Sequence, residues 1–575
     1  MLPAFSIIYL IAVVVVGCEN SSLYQNIHDM NALMAFLSLA FLGMVFFLRE
    51  EKEGHGISAL STSLIIFLLY SASSFYFSFN ADLSIYPVVK IISVLFLALA
   101  LIYFLKDIEV LKRALLIVFA FGGILAATGI IEQFFPFFFP MNWTRIINAQ
   151  SIFTNPNFFS GYLLIHIPIG LYLYFRASNS FAKILIGLAW ILILVSLGFS
   201  KSQGGQLTAC LQIIATIIYL LITKRPEQAR LVGIGTFVSI LIYFSLLKLI
   251  LEPNLLAVIR GVEEVKEVTE PEVIRNWISR SVGTRLMYWS GAWRIFTEHW
   301  LIGSGLWTFV ELYPQTGLSR LPVHAHNIYL QTAAETGLIG FGFLMACITA
   351  LCSTLSRIFK RGSAKVVEMN FYIAASLIGL LINNIIEYNW LTANFIYYFV
   401  FLVISIEVLN RETQGYKNLA IILDTKGLQT KVIPIVFLLG AFVIIQYYSY
   451  QRLVSHDIPM SATMEEMFVN TAKAKKLCSR CGSPHYLSGI AHLEMYRLSQ
   501  NSKNLVLAEH DFNEVIHRNP YSLGTYLMLG KTKSLQGNYP EAKEYYKKAV
   551  KDSRYFLTAL TEIRNIEKNK VDARP

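Results

Sequence analysis

The sequence predicts an all-α membrane protein: a polytopic transmembrane bundle of about 12–13 helices followed by a C-terminal soluble helical domain. Three observations predict it. Apolar runs of about 17–25 residues, long enough to cross a bilayer as helices, recur from near the start to about residue 450. The chain is 55% hydrophobic and 15% charged, with mean hydropathy +0.53, too little charge for a soluble chain of 575 residues. Finally, the basic residues gather in alternate loops.

Taken in order, the membrane segments lie near 4–17, 31–49, 57–78, 84–105, 113–131, 158–176, 181–199, 206–223, 231–252, 328–354, 366–387, 390–408 and 432–450. The basic clusters run Arg49 to Lys52, Lys106 to Arg113, Arg176 to Lys183, Lys224 to Arg230, Arg357 to Lys365 and Arg411 to Lys431. The short loops between them hold Arg145 and Lys201. This positive-inside bias places the basic loops in the cytoplasm, and the histidine loop and the C-terminal tail outside it. The formal charge of +11 is thus a topology signal. It predicts a lipid bilayer as partner and no nucleic acid.

Residues 1–150 read as N-terminal scaffold helices. Val15-Val16-Gly17-Cys18 has the form of a lipoprotein cleavage box, but no basic stretch precedes it, so the first run reads as a retained helix. Lys90 and Lys248 fall inside apolar runs, where snorkelling or internal pairing accounts for them. The loop after the fifth segment carries an aromatic cluster, Phe134 to Phe139, suited to the bilayer interface. Thr154-Asn155-Pro156-Asn157 then favours a turn into the sixth helix.

Residues 151–450 hold the chemistry, including a long extracytoplasmic loop, 253–325. Its first half, 263–282, reads as a charged amphipathic helix. In its second half Arg285 and Trp289 are four apart on a helix, and Gly303-Ser304-Gly305 makes a turn. His324, His326 and Asn327 end the loop. On a 3.6-residue wheel Asn327, Gln331 and Glu335 share one face, and Ala333, Gly337 and Gly340 lie roughly opposite, a small face that lets a neighbouring helix approach. The polar face must meet protein or water. The eleventh segment ends LINNIIEYNW, with Asn383 and Glu387 at i, i+4 near the outer boundary. An ionisable residue there marks a site or a partner that orients Arg285 or His326.

Residues 451–575 are water-soluble, with 19 basic and 13 acidic side chains. Leu529, Gly530, Gly537, Ala542, Tyr546 and Ala549 sit at tetratricopeptide spacing, and Gly489, Ala508, Phe512, Val515 and Pro520 form a weaker copy. Such repeats either cap the membrane part or offer a groove to a partner protein. Cys478, Cys481 and His485 make three of the four ligands a closed zinc site needs; a local disulfide or two inert thiols is the simpler reading.

His326-Asn327, nine residues, then Gly337-x-x-Gly340 resembles the signature of the O-antigen ligase/polymerase superfamily of bacterial envelope enzymes. An Arg, a spaced Trp and a Gly-x-Gly turn before the His motif, an Asn-bearing element at 154–157, and an acidic residue near Glu387 are similar to that family too. The family's Ser-Arg-Gly is Ser202-Gln203-Gly204 here, with Lys201 as the nearest positive charge. The resemblance implies a glycan transferase that takes an undecaprenyl-diphosphate-linked glycan donor. Its acceptor would be a glycolipid (O-antigen ligase), a growing glycan (polymerase) or a protein (protein O-oligosaccharyltransferase).

Such a reaction needs cations at the leaving diphosphate and a base at the acceptor hydroxyl. His326, Arg285 and Glu387 are the candidate catalytic residues. Lys201, Gln203, His324, Asn327, Asn157 and Glu335 are the candidate substrate-binding residues. The outer loops hold no D-x-D-like cluster, and no metal or cofactor is expected. A transporter of the same lipid-linked glycan is the rival from another class, but its polar groups should run through both leaflets, whereas these motifs cluster on one side.

Overall fold

The structure is a computed structural model that describes residues 34–42, 55–105, 107–135, 149, 151, 153, 155–251, 271–316, 322–389, 395–414, 421–423, 433–461, 463–551 and 553–572. The expected segment at 4–17, Cys18, Arg145 and residues 136–139 of the aromatic cluster lie outside those residues. Among the described residues nine helices are long and apolar enough to cross a membrane: α1 (Ala59–Ser73, continued by a 3₁₀ turn), α2 (Ala81–Phe104), α3 (Ile108–Phe134), α4 (Pro156–Arg176), α5 (Ser180–Ser200), α6 (Gln203–Ile222), α7 (Pro226–Leu251), α9 (Ile328–Arg361) and α10 (Ala364–Asn383). Each coincides with an expected segment, and the chain is a multi-pass membrane protein. Polar caps fix several starts. The Asp107 carboxylate accepts from the Val110 N–H, which begins α3 at 108 instead of 113. Asn155 accepts from the Asn157 N–H and starts α4.

Two further helices fall on the expected runs at 390–408 and 432–450: α11 (Phe395–Gln414) and α12 (Ile433–Arg452). Every residue of α11 from Phe395 to Arg411 is buried. It is a central post, tied to α2 by Tyr397 Oη, which meets Ser93 Oγ at 2.8 Å. In the long loop, α8 (Pro271–Glu298) runs without interruption, so residues 271–282 of the expected first half share one helix with Arg285 and Trp289; residues 263–270 lie outside the described residues. A two-stranded antiparallel ladder pairs His55–Ile57 with Ile421–Leu423.

Four of the basic clusters, those of Lys112, Arg176, Arg225 and Lys365, meet at one end of the bundle. Glu368, 1% exposed near the start of α10, pairs with Arg176 and Arg225. Glu109 pairs with Lys112 at 2.8 Å and Lys365 at 3.3 Å.

After α12 come six soluble helices, α13 (Met464–Leu477), α14 (Ser483–Ser499), α15 (Lys503–Arg518), α16 (Leu523–Leu535), α17 (Tyr539–Ala549) and α18 (Ser553–Asp572). Three-residue connections make α14/α15 and α16/α17 helical hairpins. Small residues let them close: a Cβ on Gly489 would lie 2.6 Å from the Phe512 ring, and one on Gly530 would lie 2.5 Å from Tyr546. Cys478 and Cys481 are joined in a disulfide, and His485 turns away to Asp511, Nδ1 to Oδ1 at 3.2 Å.

Candidate functional site

The site is built on a broken helix. Within α9, Gly337 has φ +67° and ψ −170°, outside the helical region. Its role is not small-face packing, as the wheel suggests. The segment Trp300 to Gly305 lies across the break as a strap: Leu338 N–H donates to Trp300 O at 2.7 Å, Ile339 N–H to Leu301 O at 3.2 Å, and Gly305 N–H to Glu335 O at 2.9 Å. Backbone groups released by the break are therefore satisfied by protein, as the bilayer requires. The crossing is too close for side chains. A Cβ on Gly303 would lie 2.3 Å from the Glu335 backbone, and one on Gly337 would lie 2.4 Å from the Leu301 carbonyl carbon. Gly303 thus does more than shape a turn.

The half of α9 before the break holds the histidine loop. Asn327 caps it, Oδ1 accepting from the Leu330 N–H at 3.0 Å. The Ile328 N–H donates to Asn384 O at 3.0 Å. Gln331 accepts from the Ala325 N–H at 2.8 Å and donates to Glu335 Oε1 at 2.9 Å. Glu335, 1% exposed, also accepts from the Phe309 N–H at 3.3 Å. Asn327 and Glu335 are thus engaged in shaping the loop. Between these anchors His326 adopts φ +50°, a left-handed conformation that costs a non-glycine residue about 1–2 kcal/mol.

The acidic partner comes from α10, which ends at Asn383 and not at 387. Asn384 Nδ2 donates to Leu380 O at 2.8 Å, and its Oδ1 accepts from the Asn389 N–H at 3.0 Å, so the chain leaves the helix. Glu387 is therefore not an i+4 companion of Asn383 on one helical face. It lies in irregular chain, 1% exposed, between two groups: Oε1 accepts from Arg285 Nη2 at 2.6 Å, and Oε2 lies 3.0 Å from His326 Nδ1. Arg285 Nε also donates to Ile386 O at 3.0 Å. The Arg285 and His326 side chains remain 22% and 24% exposed. One carboxylate, shielded from water, joins a guanidinium and an imidazole that both reach solvent.

Of the other expected residues, His324 touches the trio directly. His324 packs under His326, ring centroids 4.3 Å apart. Burial, and then the neighbouring His326, hold its pKa well below the usual histidine value. Lys201 is exposed and left-handed, φ +52°, at the end of α5. Gln203 opens α6 beside it. This turn touches the trio's support: a Cβ on Gly204 would lie 2.5 Å from Ile386 Cδ1. Asn157 stands in the first turn of α4, partly exposed, and its backbone carbonyl accepts from Ser160 Oγ at 2.8 Å. Thr154 lies outside the described residues. The ring against His326 is Tyr288, stacked at 5.7 Å, and not Trp289. Tyr388, 5.3 Å from His324, completes the aromatic bed. Neither tyrosine carries a motif in the sequence; one step of three from Arg285 on the helix is the signal that finds Tyr288.

No curated protein matches the chain. Residues 187–345 match the family model described as O-antigen ligase, a stretch that takes in Lys201, Gln203, Arg285, the strap, His326, Asn327 and the break at Gly337. Glu387 lies beyond it. Over that stretch, which includes the strapped helix and the loop before it, the chain is similar to the O-antigen ligase/polymerase superfamily of membrane enzymes.

Proposed function

We propose that the chain moves a glycan from an undecaprenyl-diphosphate carrier to an acceptor hydroxyl on the outer face of the inner membrane, as an O-antigen ligase does. The observation that carries this reading is Glu387 shared by Arg285 and His326. With the His326 Nδ1 proton held by Glu387, Nε2 presents its lone pair and takes the proton of the attacking hydroxyl. The acceptor oxygen bonds to the anomeric carbon. The bond from that carbon to the diphosphate breaks, its electron pair leaving with the diphosphate, whose charge Arg285 meets as it grows. Attack opposite the leaving group inverts the anomeric centre. Lys201 and Gln203 are assigned to the same diphosphate. Asn157, His324, Asn327 and Glu335 support the pocket around it. So written, the reaction needs no metal.

The placement of the site supports the outer face. Glu368 marks the basic end of α10, and Glu387 follows its other end. A helix of 20 residues spans about 30 Å, the thickness of the hydrocarbon core. With the basic end cytoplasmic, the trio and the C-terminal helices are periplasmic. We read the hairpins of α14 to α17 as tetratricopeptide repeats, whose presence favours a macromolecular acceptor, glycolipid, glycan or protein.

The test is transfer by the purified full-length chain from the host's lipid-linked glycan. His326→Ala and Arg285→Ala should abolish product while the protein stays folded and inserted. Wild-type product from His326→Ala removes the base, and from Arg285→Ala the diphosphate role. Product analysis in a host lacking the gene then names the branch: uncapped lipid A, shortened chains or unglycosylated protein.

A further inference from the structure

The C-terminal helices are seated on the outer end of the bundle by a specific set of bonds. Asp82, in the first turn of α2, accepts from the N–H groups of Gly482 at 2.5 Å and Ser483 at 3.0 Å, capping α14 from another part of the chain. Tyr450 Oη donates to its other oxygen at 2.6 Å. Arg480, inside the disulfide loop, donates to the carbonyls of Tyr76 and Ser78. Glu311 accepts from Asn80 Nδ2 at 2.5 Å and Asn519 Nδ2 at 2.8 Å. The Phe79 and Tyr521 rings meet edge-on at 4.8 Å. Where the two bodies do not touch, a cleft of about 320 Å³ remains between them. It has the size of a small-ligand site, about 300–1,000 Å³.

The lining selects a class of ligand. Asp82 and Glu311 give the cleft acceptors and negative charge, which repel phosphate and carboxylate ligands. Tyr486, Tyr521 and Tyr555 supply flat apolar rings with polar tips. Acceptors around aromatic faces suit an uncharged molecule rich in hydroxyl donors and C–H faces, which is a sugar. The cleft is also tied to the site. Glu311 is two residues from Phe309, whose N–H meets Glu335, and Ser84 Oγ donates to Leu306 O at 2.7 Å. We propose that this cleft is a carbohydrate subsite that holds a mono- or disaccharide portion of the acceptor glycan away from the hydroxyl that reacts. The word acceptor rests on the transfer reaction proposed above; sugar binding in the cleft does not.

The test is saturation-transfer NMR on the full-length protein in nanodiscs, with oligosaccharides released by mild acid from the host's surface polysaccharide. Saturation should reach the sugars with the wild type and with His326→Ala, which leaves the cleft intact. It should be lost with Ser522→Trp, which fills the cleft from a partly exposed position. Tyr486→Leu keeps the apolar contact with Phe512 but removes the hydroxyl, and should weaken binding roughly tenfold; it serves if the tryptophan variant does not fold. No saturation in the wild type, or saturation undiminished in both cleft variants, overturns the subsite. So does a pool of tryptic peptides that binds in a Ser522→Trp-sensitive way while the sugars do not, since it makes the ligand a protein. Binding is read without turnover. A wild type that binds sugar in the cleft but transfers none refutes the reaction and leaves the subsite standing.

Discussion

Glu387→Gln isolates what the buried carboxylate does. The amide keeps the shape and one acceptor oxygen, so Arg285 can retain its bond where Oε1 now stands, 2.6 Å from Nη2. The other position becomes an NH2 donor facing His326 Nδ1, 3.0 Å away. Two donors cannot share that distance, so the imidazole must take the tautomer with its proton on Nε2, and the base is lost. General base catalysis supplies about 10²–10⁴-fold, and kcat should fall by that factor. The acceptor KM should change little, because no binding contact is removed. Stability should fall by about 1–3 kcal/mol, the cost of a disturbed buried hydrogen bond, less than the about 3–5 kcal/mol expected when a buried charge is stranded. The assay is single-turnover transfer from the lipid-linked donor by the detergent-free full-length protein, with circular dichroism as the folding control. A kcat within about threefold of wild type refutes the tautomer argument, and with it the role of His326 Nε2.

Four further outcomes follow from the same geometry. Gly337→Ala should prevent stable insertion, because its φ of +67° and the Leu301 carbonyl carbon 2.4 Å from the new Cβ together exceed the few kcal/mol a marginal fold can lose; size-exclusion of the solubilised protein checks it, and a monodisperse variant refutes it. Asp82→Ala removes the cap on α14, worth about 1 kcal/mol, and should speed proteolytic release of residues after 480 while leaving the membrane helices intact. His324 and His299 both have pKa values lowered by burial. The unfolded chain therefore binds protons that the folded chain refuses, so stability is full above an ordinary histidine pKa and declines as pH falls below it; melting at pH 5 should lie below that at pH 7, and His324→Phe should shrink the difference. Lys201→Ala and Gln203→Ala should show which side chain serves the diphosphate, by a rise in donor KM; if neither raises it, the turn is structural.

The apolar runs made the bundle legible, because length and hydropathy decide membrane crossing with little help from context. His326 and Asn327 were legible as a motif, and Gln331 with Glu335 as a helical i, i+4 pair, which the structure shows hydrogen-bonded at 2.9 Å. What the sequence hid is long-range. Glu387 reads as the last turn of a helix until Asn384 is seen turning its amide back to Leu380. Tyr288 reads as an ordinary residue beside a more conspicuous Trp289. Asp82 reads as the acidic first turn of α2, and its service as a cap 400 residues away leaves no local trace. The glycines at 303 and 337 were visible, but each was assigned to its own element. Their purpose is mutual, since each makes room for the other's backbone.

That mutual fit bears on why the loop carrying His326 is joined to a broken membrane helix. An unbroken α9 would carry Asn327 into the bilayer on a straight axis, with the loop before it bound only at one end. The break lets the strap Trp300 to Gly305 cross the helix, and the strap continues directly into Trp307, Phe309 and Glu311. The same short segment therefore touches Glu335 behind the histidine loop and Asn519 on the soluble helices. Rigidity at His326, which must hold a left-handed backbone, is supplied from both sides of this segment. Loosening the seat should then act on chemistry without touching it: Asn519→Ala should lower kcat severalfold while leaving the Arg285–Glu387 pair and the donor KM unchanged. If kcat stays at the wild-type value while the soluble helices detach, the seat serves only to place them, and the loop is held from within the membrane alone.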